Sequence, residues 1–418
     1  MIEFKKYRLG DIADIIVSTV DKKSKEGQRK VRLCNFVDVY RNWAITHDLY
    51  DDFMVATASD VEIERFTLKR GQVAFTKDSE TRDDIGIATY IAEDFDDVVL
   101  GYHTALVTPH EDVILGKYLN AFMHSKFILK YFEMNATGSG MRYTLSLETI
   151  NDIPVLVPSL KEQKRIGDFF SIIDKKICMN LKAVSEMEQF AKQLYDYWFV
   201  QFDFPDKDGR PYKTAGGRMV WSPQLKREIP FSWSTDQLKN LVAEAGVSIP
   251  VSLRGSLPYT PMDKLPIRSM SFSSSLPTEE AQSSLVKYAK YDILIGAMRV
   301  YFHRVCIAPF DGITRTTTFV LRPKSDSYYA YCYERLNADD FIEYAIKMSN
   351  GSQQPMVSWS SLENMPILVP EEGIVSSFNG IFTKIRDRVI SLHLENKQLN
   401  SLREYITPLI TSGQVNVI

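Results

Sequence analysis

Two groups of hydrogen-bonding side chains stand out, one in each half of the chain. In the first half they are Thr76, Lys77, Ser79, Thr81 and Arg82, joined by Ser139, Arg142 and Tyr143 on the stretch TGSGMRYTLS. In the second half they are Arg299, His303, Arg304, Arg315, Thr316 and Thr317, joined by Ser352, Gln353 and Gln354 on SNGSQQPMVS. These residue types suit recognition more than bond-making. Arg and Lys place paired donors on guanine edges, and Asn and Gln do so on adenine. Cations, hydroxyls and the backbone amides of Gly/Ser turns clamp phosphates. In each half the two stretches act together only if the fold brings them together, and any single Arg of this kind is equally at home on a solvated surface.

Motifs for catalysis are missing from the sequence. The six histidines show no metal-ligand spacing and no HExxH. His103 and His303 sit in strand-and-loop regions that could face a nucleic acid. No GxxxxGK[ST] phosphate loop is present, and no Pro-Pro pair, so the Asn/Asp-Pro-Pro-aromatic motif of an amino-methyltransferase is absent. The glycines of TGSGMRY read as a turn rather than a cofactor loop. PDKD at Pro205 lacks a following ExK, and Glu395-Asn396-Lys397 lies on a long helix, where it reads as a charged flank. No catalytic residue and no metal site is assigned.

The elements that must position these groups are written twice. Asp152 opens DIPVLVPSLKEQKRIGDFFSIIDKKI, and Asn364 opens NMPILVPEEGIVSSFNGIFTKIRDRV. Pro154 and Pro158 fall over Pro366 and Pro370, with one apolar pattern between them. Upstream, YRLGDIADII from Tyr7 resembles DQLKNLVAEA from Asp236, and LKRGQVAF from Leu68 resembles AKYDILIG from Ala289. Each half therefore runs from an amphipathic opening through short β-like runs and a Gly/Ser loop to a Pro-bracketed strand and a long helix. Four matches in one order mark an internal repeat.

Both helices carry a heptad seam. The first holds Ile166, Phe170, Ile173, Ile177, Asn180 and Val184; the second holds Phe378, Phe382, Ile385, Val389, Leu392 and Asn396. Each seam contains one asparagine, which lowers stability but fixes register. The helices either pack separately on their own domains or pair with each other; the narrow, long stripes favour pairing. A helix of about 39 residues would span roughly 58 Å. Antiparallel pairing would make the tandem repeat a pseudo-twofold object, suited to a two-part target as a dimer suits a palindrome. Arg403 weakens the end of the second seam, and Pro408 is expected to limit that helix.

Length allows two or three domains. Net charge is −3 with a pI near 6.1, which argues against a lone, tight, non-specific nucleic-acid binder but not against local basic patches. Four scattered cysteines exclude a zinc ribbon or a disulfide framework. No signal peptide or membrane span is read, so the expected location is the cytoplasm.

Taken together, the doubled IPVLVPSLKEQKRIGDFFSIIDKKI pattern, YWFVQFDFPDKDGRPYKTAGG, EIPFSWST and the closing LREYITPLITSGQV resemble the specificity (S) subunit of type I restriction–modification enzymes. The resemblance spans essentially the whole chain. It rests on order and spacing, since no single piece is a sharp motif. It implies an α+β chain with two tandem target recognition domains separated by a long antiparallel two-helix coiled coil. The expected boundaries are residues 1–158 for the first recognition domain and 159–203 for the first spacer helix. The connector and second recognition domain would take 204–370, and the second helix and tail 371–418.

The resemblance also implies a non-catalytic chain that reads one half of a split double-stranded DNA site with each domain. Two methyltransferase (M) subunits would dock on it and carry the S-adenosylmethionine chemistry. Restriction (R) subunits would use ATP and Mg, and no cofactor belongs to this chain. A specificity subunit serving a methyltransferase alone or a type II-like system, or a coiled-coil protein scaffold, are the alternatives. The two candidate readers differ: KDSETRDDIGIATYIAEDFDD is acidic and GAMRVYFHRVCIAPFDGITRTTT basic, as two unlike half-sites would require. The segment SLPYTPMDKLPIRSMSFSSSLP from Ser256 is either a mobile loop that orders on DNA or a plain insertion. Phe169, Phe190, Tyr195, Tyr197 and Phe199 are expected to be exposed beside the seam and to need covering by partners.

Overall fold

A computed structural model describes residues 3–411 and 413–414. The chain divides into two α+β units. One comprises residues 1–178 and 399–418, the other residues 179–398.

The repeat read in the sequence is a repeat of topology. In the first unit Lys5–Arg8 pairs antiparallel with Pro154–Val157; in the second Ser234–Gln237 pairs in the same way with Pro366–Val369. Each proline opens its strand, where a missing N–H does least harm to the ladder. A one-turn helix follows each opening strand, Leu9–Ile12 and Leu238–Leu241. The central sheets then match strand for strand. The first runs Ala13–Val17, Thr104–Pro109, Val73–Thr76 and Ala88–Ile91, with Ala44–Ile45 added at its edge. The second runs Val242–Glu244, Thr318–Pro323, Ile293–Gly296 and Val305–Ile307. Val73–Thr76 and Ile293–Gly296 are buried throughout, which is why both read as unbroken apolar runs without alternation.

Two helices cover each sheet, Gly116–Met123 with Lys126–Asn135, and Tyr329–Asn337 with Asp339–Lys347. The buried hydroxyl of Tyr118 donates to the Leu156 carbonyl, and that of Tyr331 donates to the Leu368 carbonyl. One tyrosine thus ties the covering helix to the Pro-bracketed strand in each unit.

The long helices run Leu160–Tyr195, continued by a π-turn over Asp196–Val200, and Glu372–Thr411. Ile166, Phe170, Ile173, Asn180, Val184, Phe378, Phe382, Val389, Leu392 and Asn396 are buried; Ile177 and Ile385 are half-buried. Within the second unit the helices are paired and antiparallel. Asn180 Nδ2 donates to Asn396 Oδ1 at 2.8 Å and to Glu395 Oε2 at 3.0 Å, and further along Tyr195 lies 6.3 Å from Phe378, centroid to centroid. Within the first unit Ile166 and Phe170 share a core with Ile406 and Ile410. Arg403 does not break the second helix: its guanidinium lies 4.6 Å from the Trp43 ring centroid. The helix also continues through Pro408, in its last turn, where little helix remains to disrupt.

One expectation is corrected. Tyr195 and Phe199 are buried, not exposed, because they enter an aromatic cluster with Trp198, Tyr331 and Phe378; Phe190 and Tyr197 do remain exposed. The segment after Phe204 includes a hairpin, Met219–Ser222 paired with Arg227–Pro230. The segment from Ser256 is packed into its unit. Tyr259 bridges to Leu276 and Ile313, Ser271 bridges to Ile307, and Leu265, Met270 and Phe272 are buried.

Candidate nucleic-acid interface

In the first unit the buried strand Val73–Thr76 runs on into Asp78–Ser79, which pairs with Arg142–Thr144, Ser79 opposite Tyr143 and Asp78 opposite Thr144. Arg142–Thr144 pairs in turn with Thr137–Ser139 to form a hairpin. Gly140, with φ of +76°, supplies the left-handed residue that its two-residue turn requires. The two stretches separated by some sixty residues of sequence are therefore one small sheet. Lys77 Nζ donates to Asp78 Oδ1 at 3.1 Å and to Thr144 Oγ1 at 3.0 Å, locking strand to hairpin. The Arg82 guanidinium lies 5.1 Å from the Tyr143 ring centroid, and the Ser79 hydroxyl accepts the Thr81 amide. Thr81, Arg82, Ser139 and Arg142 are exposed and Tyr143 half-buried. Thr76 is buried and its hydroxyl accepts the Ile87 amide, so it holds the sheet rather than facing outward.

A cleft of about 490 Å³ opens beside the hairpin, lined by Phe36, Tyr40, Asp78, Glu80, Asp84, His103 and Arg142 among others. His103 Nδ1 lies 2.5 Å from Asp78 Oδ2, and Tyr40 donates its hydroxyl to Asp84 at 3.0 Å. Burial works to raise the Asp78 carboxyl, but hydrogen bonds from Thr144, His103 and Lys77 outweigh it and leave the group below its ordinary range. Asp78 is thus an ionised acceptor at the cleft wall. His103 sits in the left-handed region, φ +68°, a conformation that costs a non-glycine residue about 1–3 kcal/mol and gathers at functional sites.

The second unit converges by a different route. Ile293–Gly296 leads into Ala297, whose amide donates to the Thr317 carbonyl at 2.8 Å and whose carbonyl accepts the Val357 amide at 3.0 Å. Met298 bridges to Met356, which also bridges to Asn350, and the Arg299 amide donates to the Pro355 carbonyl at 2.7 Å. Arg299 Nη2 reaches the Gln353 carbonyl at 3.4 Å. Three stretches, around Arg299, Thr317 and Gln353, therefore meet at the end of one strand. Ser352, Gln353, Gln354, Arg315 and Thr316 are exposed and Thr317 half-buried.

Between Arg299 and His303, at φ +51° and +53°, the chain makes a tight turn, Val300–Phe302. It pushes Tyr301 and Phe302 outward with rings 4.9 Å apart. His303 itself is buried, with Nε2 bonded to the Asn337 carbonyl at 2.9 Å. Arg304 Nη1 donates to the carbonyls of Leu265 and Asp263. Both side chains serve the shape of the loop. The outward aromatics were missed in the sequence, although the adjacent pair in RVYFHR was there to be read; the exposed Met141 at the hairpin tip gave no such signal.

Residues 1–187 match the family model described as type I restriction modification DNA specificity domain. The chain is 22% identical over 321 residues to the type I restriction enzyme MjaIX specificity subunit of Methanocaldococcus jannaschii, covering 73% of this chain and 71% of that one. The chain is thus similar to type I restriction specificity subunits, and its first 187 residues match their DNA specificity domain. Another similar specificity subunit is that of the HindI enzyme of Haemophilus influenzae, 25% identical over 205 residues, 49% of this chain and 42% of that one. A solved structure with the same fold is the type I restriction–modification S subunit from M. genitalium, with a TM-score of 0.58, 12% identity and coverage of 98% and 96%.

The described residues hold no group of three His, Cys, Asp or Glu side chains placed to bind a metal. No described helix is long and apolar enough to cross a membrane. The buried thiols of Cys34, Cys306 and Cys332 are pushed up by burial, away from the thiolate form a nucleophile needs.

Proposed function

We propose that this chain is the DNA-reading component of a restriction–modification complex and that each unit recognises one half of a split double-stranded site. The observation that carries the reading is the convergence at equivalent places. In both units the segment after the central buried strand meets the loop before the Pro-bracketed strand, and the exposed donors gather there. In the second unit Gln353, Gln354, Arg315 and Thr316 supply the donors and acceptors that suit base edges and phosphates. In the first unit Arg142, Arg82, Ser139 and Thr81 do so beside ionised Asp78. A carboxylate there accepts from an exocyclic amino group such as cytosine N4, so the two half-sites differ.

Thr76, Lys77, His303 and Arg304 position these groups from behind. The chain itself is non-catalytic on this reading. Methyltransferase and restriction subunits dock on it and bring the S-adenosylmethionine and ATP–Mg chemistry. Their shared phosphate contacts reconcile DNA binding with a net charge of −3. The deciding experiment is methylome sequencing of host DNA with and without this gene, its neighbours intact. Loss of methylation at one split motif is expected. Unchanged methylation in a host whose partner subunits are expressed would overturn the reading and favour a protein-binding scaffold.

A further inference from the structure

A cavity of about 260 Å³ lies inside the second unit, between the long helix bearing Glu188 and Lys192 and a wall formed by Arg268, His303, Glu334 and Asp339. Its lining carries buried acceptors, and one of them, His303 Nδ1, has no donor. His303 is 3% exposed. Its Nε2 faces the Asn337 backbone carbonyl at 2.9 Å, and a carbonyl only accepts, so Nε2 carries the hydrogen. In the neutral ring Nδ1 is then a bare lone pair. It is buried with no hydrogen-bond partner, the nearest charged oxygen, Asp339 Oδ1, standing 3.5 Å away. Glu334 is 4% exposed. Glu188 Oε1 accepts from the Met270 amide at 2.6 Å and the Ser269 hydroxyl at 2.9 Å.

The cations on the wall have ion-pair partners, and Lys192 also favours the ionised form of Glu334. Arg268 pairs with Asp339 at 2.8 Å and Lys192 with Asp196 at 2.6 Å. Burial raises both remaining carboxyls, Glu188 and Glu334, the latter to about 8. Two buried carboxyls and an imidazole lone pair thus face one space in which His303 Nδ1 has no donor, an arrangement that costs free energy unless a donor fills it.

We propose that this cavity binds a small organic cation rich in N–H donors, a primary diamine or a guanidinium compound, held between Glu188, Glu334 and His303 Nδ1. A bare metal ion fits less well, because the described residues offer no three ligands at metal-binding separation. His303 closes the turn Val300–Phe302, whose other end, Arg299, holds the loop of Gln353 and Pro355. A cation on His303 therefore stiffens the second unit's reading loops. That consequence rests on the DNA-reading function proposed above; the binding itself does not.

The test is a calorimetric titration of the full-length chain with 1,4-diaminobutane at constant ionic strength at about pH 9, where the raised Glu334 carboxyl is ionised, with a parallel thermal melt. Saturable binding at one site and a raised Tm are expected. Glu334→Gln, which keeps the shape of the side chain, should weaken binding by about tenfold or more. Ser185→Lys places a tethered ammonium at the mouth of the cavity, and should raise the Tm of the free chain while removing binding; it decides the matter if the Gln variant folds poorly. No heat beyond dilution, equal affinity in wild type and both variants, or the same Tm rise with sodium chloride alone would overturn the proposal. No DNA is present, so the result stands whether or not the second unit reads a half-site.

Discussion

In the first unit the chain leaving Val73–Thr76 stays extended, pairs with a hairpin and borders an acidic cleft. In the second the chain leaving Ile293–Gly296 turns sharply through two left-handed residues and presents aromatics and exposed glutamines. Behind these tips the sheet order, the covering helices and the tyrosine that ties them to the Pro-bracketed strand are the same. The contrast shows how a duplicated scaffold can carry two specificities. The sheet and helices must bury the same surface in both copies, whereas the tips satisfy only their own backbone and whatever they read.

The seam is where the two units should behave alike, and there the largest effects are expected. Phe170 in the first unit and Phe382 in the second are fully buried, the latter among Tyr329, Tyr333 and Phe378. Either Phe→Ala change should cost about 3–5 kcal/mol, measured by chemical denaturation. A loss below about 1 kcal/mol in one but not the other would break the equivalence of the scaffolds.

At the tips the units should part. Gln353→Ala with Gln354→Ala should abolish or relax recognition in one half of a split motif, and Arg142→Ala should do so in the other. Each lost paired contact is worth about 1–3 kcal/mol, or roughly tenfold to a hundredfold in affinity. Motif sequencing of methylated DNA reads both. If the two changes altered the same half, the assignment of one reader per unit would fail.

Between these extremes sits the seam asparagine pair of the second unit. Asn180→Leu alone leaves buried Asn396 Oδ1 without its 2.8 Å donor and should destabilise by about 1–3 kcal/mol. The double change to Leu should recover that loss or exceed it, and melting curves of the three proteins check the cycle.

The last effect is a slope. Glu334 is raised by burial to about 8, while the aligned position in the first unit is Ala121. A carboxyl raised in the folded chain favours folding while protonated. Its contribution is full below the ordinary glutamate range and is lost as pH rises through about 8. Glu334→Gln should remove a slope of up to about 1.4 kcal/mol per pH unit in that window. Stability measured between pH values on either side of it shows whether the slope is present.

How much of this was legible follows from what each residue answers to. The prolines at 154, 158, 366 and 370, the two seams and the paired asparagines were readable because burial and heptad geometry leave a periodic trace in the chain. The acidic and basic tips were visible as composition. Thr76, His303 and Arg304 belonged to the right clusters, but nothing in their types told an inward side chain from an outward one. Tyr195 and Phe199 looked exposed because a π-turn at Asp196 shifts the helical period just where they stand. The sequence by itself determined the duplication, the strand–helix order and the register of the seam, since these depend on local periodicity repeated along the chain. Only the tertiary structure decided which donors share a surface, that Glu188 faces Glu334 and His303, and that Ser79 lies opposite Tyr143. Those pairings join residues far apart in sequence, and loop conformations with left-handed residues such as Arg299 are held by their surroundings rather than by their own propensity.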